Sequence, residues 1–194
     1  MTIYKTGAKR ADDNWIQTFT GRQFWPLDPV ADDIDIRDIA HALSMKCRFS
    51  GHCQAFYSVA QHSRLVSFLC PDKDALWGLL HDAAEAYLPD VARPIKRELV
   101  GFREIEERIM RCVAERFDLS WPMPESIHDA DLRALATERR DVMGKPPSPW
   151  KAIEGIECSP LIVWPYAPKE AHENFLARFA HLTRKEGADS GIRR

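Results

Sequence analysis

Two histidines and two aspartates stand where a helical protein should bury hydrocarbon. His62 falls in the series Val59, His62, Val66, Leu69, one face of a helix, and His81-Asp82 follows Leu79-Leu80 directly. Asp131 adjoins Leu132, one turn before Leu135. An unpartnered carboxylate inside a core is destabilising by several kcal/mol, so about that much must come back from a partner. A shared divalent cation supplies it for all four residues, and imidazole nitrogen with carboxylate oxygen suits Mn, Fe, Co or Zn. Each piece alone is commonplace. A lone histidine on an apolar face is more often a satisfied core residue, and His128-Asp129 repeats the dipeptide. The ordered set is more specific: His62, 18 residues, His81-Asp82, 48 residues, Asp131, each on its own predicted helix. Glu85 lies four residues after His81 and three after Asp82, so a continuous helix puts all three on one face. A carboxylate there can orient or deprotonate a water, although a solvent-facing glutamate fits the same spacing.

These residues need helices to hold them, and the period of apolar residues is helical from about residue 33. Ile36, Ile39, Ala40 and Leu43 share a face, with Asp33 or Asp35 as cap. Ser58 caps a second helix that Pro71 closes. Asp72 or Asp74 starts a third that fails near Pro89. Leu99, Phe102, Ile105, Ile109, Val113 and Phe117 predict a long helix over 98–117, and Ser126 opens a fifth with Leu132, Leu135 and Val142 on a face. Residues 144–168 hold six of the 13 prolines and form a loop, which the run Leu161-Ile162-Val163-Trp164 packs onto the core. A last helix spans about 168–185. The expected fold is all-α: about six helices in a single domain, 33–185, with an irregular arm, 1–32, packed on it and a mobile tail, 186–194.

The chain has 194 residues, 45% of them hydrophobic and 29% charged, ordinary for a soluble single domain. With 27 Lys+Arg against 29 Asp+Glu it lacks the basic surplus of a general nucleic-acid binder. No stretch approaches the roughly 18 apolar residues of a membrane span, and the N-terminus has no apolar core of signal-peptide type. Five cysteines with no CxxC pair argue against a disulfide scaffold. A cytoplasmic location and no membrane partner are the expectations.

The segments YSVAQHS, LLHDAAEAYLPD and ADLRALATERRD resemble the HD-domain metal-dependent phosphohydrolase superfamily over roughly residues 33–143. CRF ahead of YSVAQHS, with HDAAEAYLPDVARPIK, resembles the bacterial HD 5'-deoxynucleotidases. GRQFWPLDP and DIAHALSMKCRFSGHC are similar to the compact phage-type HD enzymes that release triphosphate from dATP. The resemblance implies an HD-type helical domain with His62, His81, Asp82 and Asp131 as metal ligands and Glu85 beside the catalytic water. Asp82, as a ligand, is expected to share the catalytic role. The resemblance further implies that Arg48 contacts phosphate and sugar, that Asp90 lies near both, and that Phe49 stands where tryptophan commonly stacks on the base. The ADLRAL frame and the apolar face both select Asp131 over Asp129. The implied reaction is attack of metal-activated water on the phosphorus of a (deoxy)nucleoside 5'-phosphate, either a monophosphate or a triphosphate. A homo-oligomer is an expectation of the same kind.

Lys96, with Arg93, follows the Asp90 turn and is either a phosphate-binding cation or a solvated charge. Arg139 and Arg140 read as surface or ion-pair residues. His41, His52 and His128, or Cys47, His52 and Cys53, lack established ligand spacing for a second metal. The rival function is a non-catalytic nucleotide sensor on an HD scaffold, which would not need Glu85 and all four ligands intact.

Overall fold

Asp35 opens the first helix: its carboxylate accepts the backbone N–H of Arg37 at 2.9 Å, and α1 runs Ile36–Met45. The computed structural model describes residues 13–184. The expected mobile tail and the first twelve residues of the arm lie outside the described residues. Within the arm, Ile16–Gln17 (β1) and Gln23–Phe24 (β2) pair antiparallel, so a two-residue hairpin interrupts what the sequence predicts as irregular. Gly21, at φ 80°, makes its turn. The arm packs as expected. Phe24 is fully buried and stacks on Tyr87 with centroids 3.9 Å apart. Thr20 donates its N–H and its hydroxyl to the buried carboxylate of Asp38 in α1, at 2.7 and 2.9 Å.

Ser58 caps α2, Val59–Leu69, by accepting the N–H of Gln61 at 3.1 Å. Helix α3 is shorter than the sequence suggests. It covers Ala75–Leu80 and ends at His81; Ala83–Ala86 then form a separate 3-10 turn. The short helix α4 is Arg93–Lys96 and begins with Pro94 near its N-terminus. Helix α5 is Phe102–Arg116, starting four residues later than the apolar stripe implies because Gly101 takes φ 82° ahead of it. Helix α6 is Glu125–Asp141. Ser126 lies inside it and donates to Asp74 at 2.6 Å instead of capping. Helix α7 is Pro168–Leu182. Seven helices therefore stand among the described residues, the predicted six plus the one-turn α4, and the fold is all-α. Among the described residues, no helix is long and apolar enough to cross a membrane.

Helix α2 is central, packing against α1, α3, α6 and α7. The proline-rich stretch lies over the core, but of Leu161-Ile162-Val163-Trp164 only Val163 is buried; Trp164 is 73% exposed. What pins this stretch is polar. Gln61 donates to the carbonyl of Trp164 at 2.6 Å and accepts the N–H of Tyr166 at 2.9 Å. Arg140 likewise donates to the carbonyls of Ser159 (2.9 Å) and Leu161 (2.6 Å) while pairing with Asp141, the ion-pair role expected of it.

Gly78 sets the approach of α3 to α2. A Cβ there would meet the Cys70 sulfur at 2.6 Å and the Ser67 backbone at 3.0 Å. Gly78→Ala should overpack this contact and lower unfolding stability by about 1–3 kcal/mol. Urea denaturation reads this out, and an unchanged midpoint would show that the helices can part freely.

Candidate metal centre

His62 projects from near the start of α2 and is fully buried. His81 and Asp82 stand at the break between α3 and the following 3-10 turn, and Asp131 sits in the second turn of α6. Three separate elements thus bring their polar atoms to one point. His62 Nε2 lies 3.2 Å from His81 Nε2, 3.2 Å from Asp131 Oδ1 and 3.5 Å from Asp82 Oδ2. His81 Nε2 lies 3.2 Å from the same Asp82 oxygen. The ligand atoms of His62, His81 and Asp131 are all within 4.8 Å of one another, and Asp82 joins from the histidine side.

The outer nitrogens fix the tautomers. His81 Nδ1–H donates to the carbonyl of Gly78 at 2.8 Å, and His62 Nδ1–H donates to the carboxylate of Glu138 at 2.6 Å. Each neutral ring then turns an Nε2 lone pair inward. Two lone pairs 3.2 Å apart, flanked by two carboxylates, form a cluster of acceptors that only a cation or added protons can hold together. Ligand atoms 2.0–2.2 Å from one ion stand roughly 2.8–3.6 Å apart at octahedral or tetrahedral angles, a range that holds this spacing. The residues therefore fit a divalent transition cation. Charge coupling within the cluster is strong. Burial alone would lower His81, yet the adjacent Asp82 carboxylate takes it up to about 9. Burial would raise Asp131 and Asp82; the two histidines bring Asp131 down to about 2 and, with Arg48, hold Asp82 far below the usual carboxylate range.

A cavity of about 870 Å³ opens on the cluster, within the roughly 300–1,000 Å³ of small-molecule sites. Its walls include Arg48, Phe49, Asp82, Glu85, Asp90, Lys96 and Asp131. His62 and His81 lie beneath, with side chains 0% and 7% exposed. Glu85 reaches the cavity from a 3-10 turn, not from the continuous helix that its spacing suggested. Burial, together with the Asp82 and Asp90 carboxylates, pushes its carboxyl up to about 9. Lys96 lines the cavity, about a third of its side chain is exposed, and it pairs with Glu106 at 2.5 Å. His52 stands at the cavity; His41 stacks on Phe19 in α1, with centroids 3.8 Å apart; His128 is exposed on α6. No second metal-spaced cluster occurs among the described residues.

Several site residues were not foreseen. Glu138, fully buried in α6, accepts from His62, from the Tyr57 hydroxyl at 2.9 Å and from Arg48 Nη2 at 3.2 Å. Seven residues after Asp131 and four before Val142, it breaks the same apolar face, and the test that found Asp131 applies to it equally. Lys46 Nζ donates to the carbonyls of Glu85 and Leu88, bracing the turn that presents Glu85. Trp150, from the proline-rich stretch, packs beside Phe49 in the cavity lining, with ring centroids 6.0 Å apart and the rings tilted. Phe49 and Ser50 both hold positive φ, at 54° and 52°, a strained loop beside Arg48.

The chain matches no protein-family model. It is 43% identical over 171 residues to the uncharacterized protein YfdR of Escherichia coli (strain K12), covering 88% of this chain and 96% of that protein. It is 33% identical, over a 189-residue alignment covering 88% of this chain and 96% of the relative, to the uncharacterized protein RCAP_rcc00048 of Rhodobacter capsulatus. At that identity and coverage, the chain belongs to the same family as YfdR.

Proposed function

We propose that this protein is a metal-dependent phosphohydrolase of the HD-domain type that hydrolyses (deoxy)nucleoside 5'-phosphates, with His62, His81, Asp82 and Asp131 holding the cation. One observation carries the reading. Four metal-type acceptors converge at the wall of a nucleotide-sized cavity that Glu85 and Arg48 also line. When bound, a cation of the Mn, Fe, Co or Zn class would supply Lewis-acid polarisation of a phosphoryl oxygen and acidify a nearby water.

The chain's own groups have distinct tasks. Arg48 orients the phosphoryl group and offsets its charge; its Nε–H is buried with no hydrogen-bond partner among the described residues and so has a donor to give. Glu85 orients the attacking water, and its carboxyl, kept protonated at neutral pH by burial and the Asp82 and Asp90 carboxylates, gives its proton to the departing 5'-oxygen and regains one from solvent. Asp90 accepts from a sugar hydroxyl, and the paired Phe49 and Trp150 rings give the base an aromatic surface to pack on. The charge around the cavity favours a monophosphate over a triphosphate. Arg48 is held by Glu138 and Asp82, Lys96 is held by Glu106, Lys151 adds one cation with no ion pair among the described residues, and four carboxylates share the walls. A triphosphate would need more free cations than these.

The direct test incubates metal-stripped protein with deoxy- and ribonucleoside mono- and triphosphates, adding back Mn, Co or Zn, and separates products by anion exchange. Orthophosphate and nucleoside from monophosphates are expected. Inorganic triphosphate would make it a triphosphohydrolase, and nucleotide binding without turnover under any metal would make it a sensor. Asp82→Ala should lose metal and turnover together, whereas Glu85→Ala should keep metal and lose about 10²–10⁴-fold in kcat. A near-wild-type kcat for Glu85→Ala removes it from proton transfer. Arg48→Ala should raise KM at least about tenfold, read from initial rates at saturating metal.

A further inference from the structure

Glu138 lies deeper than any other carboxylate near the cluster, with no exposed surface, and its three partners come from separate parts of the chain. Oε1 accepts His62 Nδ1–H at 2.6 Å and the Tyr57 hydroxyl at 2.9 Å, while Oε2 accepts Arg48 Nη2 at 3.2 Å. A carboxylate buried without partners would be strongly destabilising, so three donors converging on one is a built arrangement, not an accident of packing. Every one of these partners is a donor, so the arrangement suits a carboxylate, which accepts on both oxygens.

We propose that Glu138 is a positioning residue serving two groups at once: one oxygen keeps the His62 proton on Nδ1, so that Nε2 faces the metal cluster as a lone pair, and the other holds the Arg48 guanidinium at the cavity wall. The His62 half needs only that the cluster binds a cation; the Arg48 half rests on the phosphohydrolase reading above. Geometry makes the charge essential. A carboxylate offers acceptors on both oxygens. A glutamine amide in its place turns its oxygen to His62 and its NH₂ to Arg48, setting donor against donor. Flipped, its NH₂ donates to His62 Nδ1 and drives the ring proton to Nε2, where it blocks ligation.

The experiment titrates Mn²⁺ alone into metal-stripped wild type, Glu138→Gln, Arg48→Ala and the Arg48→Ala/Glu138→Leu double variant, whose leucine offers His62 no acceptor in either orientation. Inorganic phosphate is then titrated into each at saturating Mn²⁺, with circular dichroism as the fold check. The double variant removes both buried charges together and guards against a single variant that fails to fold. Glu138→Gln and the double variant should lose about 10–100-fold in Mn²⁺ affinity with unchanged helicity. Arg48→Ala should stay within about threefold of wild type for Mn²⁺, because His62 keeps its acceptor. Phosphate affinity should fall at least about tenfold in both single variants. Mn²⁺ affinity within about threefold of wild type in folded Glu138→Gln, or in the double variant, overturns the His62 half, and unchanged phosphate affinity in Glu138→Gln overturns the Arg48 half. Wild type that binds no Mn²⁺ overturns the metal reading itself, a result distinct from both.

Discussion

Helix α2 is buried on nearly every side, yet it carries Gln61, His62, Ser63 and Ser67. A buried polar side chain must find a partner or cost the fold several kcal/mol, so much of the surrounding structure is arranged around this one helix. Gln61 draws in the backbone of the proline-rich stretch. Ser67 donates to the Ala75 carbonyl at the start of α3 and accepts from Arg178 of α7 at 3.0 Å. His62 draws in α6 through Glu138 on one side and the His81–Asp82 turn on the other. The polar residues of a single helix thus fix the placement of three other helices and a long loop.

The charges follow the same logic at higher stakes. Arg48, Asp82, Asp131, Glu138 and the two histidines form a connected network in a region of low dielectric, where each charge is tolerable only because its neighbours are present. The break after His81 matters here. Asp82 adopts φ −101° and ψ 15°, outside the α-helix, and this lets two consecutive side chains reach the same point. The close approach permitted by Gly78, three residues earlier, brings that point to His62.

Much of this was legible in the sequence because polar residues on apolar faces are conspicuous. His62, His81, Asp82 and Asp131 were all visible in that way, and the structure gathers them. The caps Asp35 and Ser58 stand where short polar residues precede helical periods. Glu85 reaches the cavity from a 3-10 turn, because helical spacing cannot reveal where a helix breaks. Glu138 went unseen in the run TERRD, where its charged neighbours masked it as surface. Lys46 went unseen because its partners are backbone carbonyls, which leave no mark in a sequence. The run Leu161–Trp164 misled for the opposite reason: its hydrophobicity suggested packing, while its anchors are hydrogen bonds donated by Gln61 and Arg140 and one accepted by Asp141.

Those anchors also divide the proline-rich stretch by tolerance to change. Its far part is tied at Ser159, Leu161, Val163, Trp164 and Tyr166 to α2 and α6, and its start follows directly from α6. Between these ties, residues 144–158 run past the cavity and contribute Trp150 and Lys151 to its wall. Lengthening such a closed loop is inexpensive, at roughly 0.6 kcal/mol for each doubling. Insertions, deletions and exchanges there can accumulate over evolutionary time without disturbing the ends that hold α2 and α6 in place. The fold thus separates a part free to diversify what the cavity admits from a part that must stay as it is for the metal-ligand cluster to exist.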